Sequence, residues 1–204
     1  MSHDTHDPAA HYDRITRAWG LLLGDELHWG VFTSGDETLS EATGALTTLM
    51  IDAADLTPGL RVLDVGCGSG TPARRLATEH GVEVVGITTS EVGVETAREA
   101  SAGVPGVSFE QRDGTDNGLP DASFDRAWAL ESSHLMPDRQ GLLSECARVV
   151  RPGGRVSVMA PNPAARVLGR LVREGPEAAL DQLAGADPGL RAVRARAEAA
   201  AGRG

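Results

Sequence analysis

The stretch Val62-Leu63-Asp64-Val65-Gly66-Cys67-Gly68-Ser69-Gly70 carries the clearest chemistry in the sequence. Glycines at alternate positions let the backbone pass close to a ligand and take torsions that a Cβ forbids. An apolar strand runs into this loop and a helix runs out of it. That order places the loop at the carboxyl edge of a parallel sheet, where nucleotide ligands bind. A dinucleotide fingerprint would need a further glycine at position 71, and Thr71 stands there instead. With the acidic Asp64 two places before the first glycine, the loop suits a ligand without a pyrophosphate.

Few other reactive groups compete for attention. Cys67 and Cys146 are the only cysteines; they form no disulfide framework and have no zinc spacing. His3, His6 and His11 stand among aspartates, but their setting reads as a polar terminus, so no metal site is assigned.

The elements that would position the loop follow from periodicity. Residues 60–160 alternate strand-like and helix-like stretches, the pattern of an α/β, Rossmann-like, doubly wound and mostly parallel sheet. Strands are predicted at 60–65, 82–88, 107–112, 124–130 and 155–159. The helix after the glycine loop has Thr71 as its cap, Pro72 in its first turn and Gly81 at its end. Further helices are predicted at 91–101 and from near Asp138. In the latter, Leu142, Leu143, Cys146, Val149 and Val150 share one face, and Arg151-Pro152-Gly153-Gly154 turns the chain into the fifth strand. Two helices, 12–27 and 39–56, precede this core.

Three regions result: a disordered tail over 1–10, a core with N-terminal helices over 11–160, and an atypical segment over 161–204. The last is rich in Ala, Arg, Gly and Pro, helical or partly disordered, and offers no strand pattern. At 204 residues the chain is long enough for one self-supporting core. A net charge of −10, with arginine as the only strong base, argues against nucleic acid and anionic membrane as partners. The polar start is unlike a signal peptide, and no apolar run reaches membrane-spanning length, so a cytoplasmic protein is expected.

Over residues 11–160 the sequence resembles class I S-adenosylmethionine-dependent methyltransferases. Within them it is similar to the small-molecule branch that includes rebeccamycin sugar O-methyltransferase and the tocopherol or sterol C-methyltransferases. The stretches that carry the resemblance are Leu27-His28-Trp29-Gly30, the glycine loop, and Val85-Gly86-Ile87-Thr88-Thr89-Ser90. Trp128-Ala129-Leu130-Glu131-Ser132 and Arg148-Val149-Val150-Arg151-Pro152-Gly153-Gly154 complete it.

The resemblance implies S-adenosylmethionine as cofactor and a small-molecule acceptor, of natural-product or isoprenoid type. It implies that Gly66, Gly68 and Gly70 line the methionine and ribose portion, with Asp64 organising the loop. Thr88 and Thr89 take the ribose position usually held by an acid, Asp113 receives the adenine amino group beside Gly114, and Leu130 faces the sulfonium. Tyr12 and Trp29, with Trp19, become candidate lid residues on the acceptor side. His134, just past the fourth strand, becomes the candidate base, since imidazole suits proton transfer near neutral pH.

The sequence departs from these relatives in three places. A second histidine is replaced by Leu135, a fifth-strand aspartate by Ala160, and the final strands of the usual fold are missing from the pattern. An uncovered edge strand must be covered or paired; residues 166–201 cover it with helices, pair it in a homodimer, or leave a truncated, impaired protein. A methyltransferase is therefore the expected activity. A cyclase or lyase that retains the cofactor without transferring methyl, and an impaired binding protein, are the alternatives.

Overall fold

The computed structural model describes residues 28–160. The expected helix at 12–27, with Tyr12 and Trp19, and everything expected of 1–10 and 161–204 lie outside the described residues. Helix α1 spans Leu39–Ala54, followed by β1 (Arg61–Val65), α2 (Thr71–His80), β2 (Glu83–Thr88) and α3 (Glu91–Ala100). Then come β3 (Val107–Gln111), β4 (Phe124–Leu130), a 3-10 turn (Ser133–Leu135), α4 (Arg139–Val149) and β5 (Val150–Met159). The five strands form one sheet in the order β3-β2-β1-β4-β5, every neighbouring pair parallel. Between β1 and β4 the direction of winding reverses, and the carboxyl ends of these two strands open a crevice.

The alternation of side chains across the pleat sorts the core into two layers. Val62, Val84, Phe109 and Trp128 pack with Met50 of α1, Leu76 of α2 and Val94 of α3. Leu63, Ile87 and Phe124 pack on the other side with Leu142, Cys146 and Val149 of α4. Of the helical face expected to hold Leu143 and Val150, only the i, i+4, i+7 members are buried. Leu143 is exposed, because one residue past Leu142 rotates it about 100° away from the sheet. Val150 already belongs to β5.

Helix ends are closed locally and from afar. Thr38 and Glu41 form a capping box at the start of α1. At its other end, Arg126 donates to the carbonyls of Ala54 (2.6 Å) and Asp55 (2.9 Å), and Arg155 donates to that of Ala53 (2.9 Å). Orphan carbonyls of the last turn are thereby satisfied by guanidinium groups from β4 and β5.

Two sequence expectations need correction here. The cap of α2 is Gly70, in the left-handed region at φ 76, and not Thr71. The Thr71 hydroxyl instead accepts from Arg74 at 2.6 Å. Arg151 to Gly154 are not a turn before the fifth strand but part of β5. There the register jumps, so that Val150 opposes Phe124 while Arg155 opposes Arg126. Gly153, at φ 81, gives this bulge the torsion it requires.

Gly70 is also a packing residue. A Cβ there would lie 2.6 Å from the Phe109 ring and 3.1 Å from the Ala97 Cβ, at a φ that L side chains avoid. Gly70→Ala should therefore cost about 2–4 kcal/mol of stability, combining overpacking with left-handed strain. Urea unfolding of the unliganded protein should show a lower midpoint at unchanged slope, and an unaltered midpoint would show that the loop absorbs the methyl.

Candidate active site

The crevice at the carboxyl edge is a cavity of about 370 Å³. The exits of β1, β2 and β4, the loop after β3 and the chain before α1 surround it. Its floor is built by mutual exclusion of side chains. Gly66, at φ 80, has no room for a Cβ, which would stand 2.2 Å from the Ser132 Cβ. The Ser132 hydroxyl donates to the Val65 carbonyl at 2.5 Å, and the N–H groups of Gly66 and Cys67 both donate to the Ile87 carbonyl. Gly68 differs: a Cβ there would meet nothing within 4 Å. Its bare backbone faces open space.

Among the residues expected from the sequence, the structure brings Asp64, Gly66, Gly68, Thr88, Thr89, Asp113, Gly114 and Leu130 to this cavity. Gly70 is not in its wall; it supports the wall through Phe109 and Ala97. Thr88 accepts from the Ser90 N–H at 3.3 Å, and Ser90 caps α3 by accepting from Gly93. Asp113 uses Oδ1 to hold its own turn, accepting from the N–H and the hydroxyl of Thr115, both at 2.8 Å. Gly114 is forced by close packing, since a Cβ would lie 2.6 Å from Val65 Cγ1.

The acceptor-side expectations fare differently. His134 sits on the 3-10 turn, exposed, with Leu135 and Met136 rather than its own ring in the cavity wall. Partial burial and the nearby Arg139 hold its pKa below the usual histidine value. The Trp29 side chain is 71% exposed and outside the wall. Its backbone N–H, however, donates to Glu131 Oε2.

His28 and Glu131 belong to motifs legible in the sequence yet were not expected in the site. His28 is buried in the wall: its Nδ1 donates to the Trp29 carbonyl at 2.9 Å, and its Nε2 bonds the Thr47 hydroxyl at 3.0 Å. Glu131 ends β4 in a left-handed conformation at φ 51. No composition or periodicity signal marks either position, because burial of His28 depends on α1 and the strain at Glu131 on its neighbours in the sheet.

Asp64 is the most perturbed group. It lies on the same face of β1 as Val62, 2% exposed, and its Oδ2 has no hydrogen-bond partner among the described residues. Burial raises its pKa from 3.8 to about 7; the Trp128 indole, which does not reach hydrogen-bond geometry with the carboxyl, and the His28 charge oppose this only in part. The Trp128 Nε1 is itself without a partner among the described residues. A buried carboxylate of this kind is complementary to a cationic ligand group.

A family profile described as "Methyltransferase domain" matches residues 63–158. The 27-O-demethylrifamycin SV methyltransferase of Amycolatopsis mediterranei is 44% identical over 160 residues, covering 75% of this chain and 59% of that protein. An O-methyltransferase of Aspergillus nomiae is 36% identical, covering 72% of this chain and 68% of its own. Among solved structures, the [4+2]-cyclase SpnF superposes with a TM-score of 0.70 at 33% identity, over 74% of this chain and 57% of that one. The parallel sheet and the cavity at its reversal point define a Rossmann-like ligand-binding protein. The chain belongs to the methyltransferase domain family, of the class I S-adenosylmethionine-dependent type. It spans 59% of the length of the rifamycin relative and 55% of the next, from Streptomyces halstedii.

The perturbed carboxyl makes the unliganded protein sensitive to pH. Because the folded pKa of Asp64 is about 7 against 3.8 when exposed, its neutral form is the one that favours folding. The contribution of Asp64 to stability should be fully present below 3.8 and be lost as pH rises through about 7. The loss attributable to Asp64 is on the order of 4 kcal/mol at most. Thermal melts of wild type and Asp64→Asn from pH 4 to about 8.5 check this: the variant should lose much of the decline, and parallel curves would assign it elsewhere.

Proposed function

We propose that this chain uses S-adenosylmethionine to methylate a hydroxyl of a small natural-product acceptor. The observation that carries the reading is the buried Asp64 Oδ2, without a partner among the described residues, beside the open backbone of Gly68. In this reading Asp64 takes the cationic amino end of the cofactor, and Gly66 and Gly68 admit its close approach. Thr88 and Thr89 serve the ribose hydroxyls, Asp113 and Gly114 the adenine, and Leu130 lies toward the sulfonium. The bound cofactor supplies an electrophilic methyl group; the protein's part is mostly alignment, which can be worth several kcal/mol of barrier.

Hydroxyl acceptors are favoured because the rifamycin relative and the Aspergillus relative are O-methyltransferases by name. 27-O-demethylrifamycin SV is thus the first acceptor to try. An isoprenoid acceptor is the neighbouring choice within the same branch. His134, at the rim with its ring outside the cavity wall, is placed to contact the part of an acceptor that extends over the 3-10 turn. His134→Ala should then raise the acceptor KM by roughly five- to tenfold, with kcat and cofactor affinity unchanged.

The likeness to SpnF supports a second reading, a cyclase that retains the cofactor without transferring methyl. Mass spectrometry separates the two: S-adenosylhomocysteine accumulates with product in a methyltransferase and not in a cyclase.

Cofactor binding itself has a direct test. S-adenosylmethionine should raise the melting temperature of the wild type, since a ligand specific to the native state stabilises it by mass action. Gly68→Val should abolish the shift by filling the open approach, and Asp64→Asn should weaken affinity by about 2 kcal/mol. Unchanged affinity in both folded variants would show that the cofactor does not bind here. No binding by the wild type would leave the impaired-protein reading.

A further inference from the structure

Glu131 is placed with unusual insistence. Leu130 pairs with Met159, the Glu131 N–H donates to the Met159 carbonyl at 2.7 Å, and the next residue is pinned by the Ser132 hydroxyl on Val65. Between these fixed points the backbone of Glu131 turns to φ 51, a conformation that costs a non-glycine residue about 1 kcal/mol or more. The result is that the carboxylate leaves the end of β4 and enters the cavity wall. A glycine at this position would carry the same turn without strain, so the turn alone does not account for a glutamate.

The carboxylate is also oriented. Oε2 accepts from the Trp29 N–H, and the carbonyl of that same residue is held by His28 Nδ1 at 2.9 Å. His28 is in turn fixed by Thr47 of α1. Oε1 carries no hydrogen bond among the described residues. Burial raises the Glu131 pKa, opposed by the Trp29 N–H and the His28 charge. The titratable groups that share this cavity with it are His28, Asp64 and the buried Cys67 thiol, with Asp113 and Arg112 on the β3 side.

We propose that Glu131 is the catalytic residue that receives the acceptor's proton, and that His28 is a positioning residue acting through the Trp29 peptide. This rests on the methyltransferase reading above. As the acceptor oxygen forms its bond to the methyl carbon, the carbon–sulfur bond breaks and its electron pair goes to sulfur. The hydroxyl proton passes to Oε1. A sulfonium cation and a carboxylate anion become a neutral thioether and a neutral carboxylic acid, so charge is cancelled inside the cavity and none is created. A half-buried carboxylate with a raised pKa favours that direction of proton transfer.

The decisive variant is Glu131→Gln, because a glutamine oxygen can still accept from the Trp29 N–H. The test uses calorimetry with S-adenosylmethionine, turnover of 27-O-demethylrifamycin SV, and melting curves across pH. Expected for Glu131→Gln are cofactor affinity weakened only severalfold, by loss of one wall charge, and turnover reduced roughly 10²- to 10⁴-fold, with loss of the rising limb of the kcat/KM profile. His28→Asn, which disturbs Trp29 and keeps the carboxylate, should retain the limb and lower kcat by a smaller factor.

A readout independent of turnover comes from stability. The folded protein favours neutral Glu131, so wild-type stability falls as pH rises through its raised pKa. Glu131→Gln should therefore melt above wild type by a margin that opens as pH rises from 4.5 to the raised pKa and is constant beyond it.

Glu131→Gln that turns over within about threefold of wild type, or that keeps the rising limb, overturns the assignment alone. So does a Glu131→Gln that melts below wild type at every pH, which would make the residue a structural tether. Failure of the wild type to bind S-adenosylmethionine overturns the methyltransferase reading and this proposal together. Binding without turnover of the rifamycin probe overturns the acceptor class, and the melting curves then judge Glu131.

Discussion

The site depends on a contact that leaves room for no side chain: the crossing of Gly66 beneath Ser132. With a Cβ at position 66 only 2.2 Å from Ser132, the exits of β1 and β4 could not approach as they do. Their approach lets the Ser132 hydroxyl reach the Val65 carbonyl and leaves the Gly66 and Cys67 N–H groups to the Ile87 carbonyl of β2. Three strand ends are thus tied together at the reversal point of the sheet. The cavity, the exposed backbone of Gly68 and the forced turn at Glu131 all follow from that tie.

What the tie costs is visible in two carboxyl groups. Asp64 is buried without a partner for one oxygen among the described residues, and Glu131 is held in a left-handed turn. A fold selected for stability alone would place an apolar residue at the first and glycine at the second. The compensation lies in the apolar layers on both sides of the sheet and in Arg126 and Arg155, which fasten the end of α1 to β4 and β5. Fastening α1 matters to the site because Thr47 of that helix fixes His28 in the cavity wall.

The strands and the loop were legible because their signals are local. Alternation and β-branched residues mark β1 to β4, and β4 spans the predicted residues 124–130. The eight cavity residues anticipated from the glycine loop and strand ends come together because topology alone brings strand ends to one edge. What was not legible depends on partners distant in sequence. Gly70 looks like a ligand-lining glycine until Phe109 of β3 is seen against it. Arg151 to Gly154 look like a turn until Phe124 and Arg126 of β4 pair on either side of the bulge. His134 lies within the expected segment, but whether its ring or its neighbours' side chains face inward depends on the 3-10 turn, whose phase periodicity does not set. Glu131 stood in a quoted motif, and only the torsion imposed by Met159 and Val65 reveals where it points.

The charges lining the cavity also bear on what can enter it. Among the described residues they are Asp64, Asp113, Glu131 and one arginine, Arg112, with His28 beside them. Arg112 is already engaged, by Glu110 at 2.7 Å and by the Asn117 carbonyl at 2.7 Å. Its charge is spent on the loop after β3, and the remaining field is negative. In a partly enclosed, low-dielectric space such a field strengthens attraction for a cation and repulsion of an anion. A ligand carrying a sulfonium and an ammonium group is therefore matched to these walls. An acceptor bearing phosphate or carboxylate near the reacting oxygen is opposed by them, whereas a neutral hydroxyl can approach Glu131 and leave its proton there.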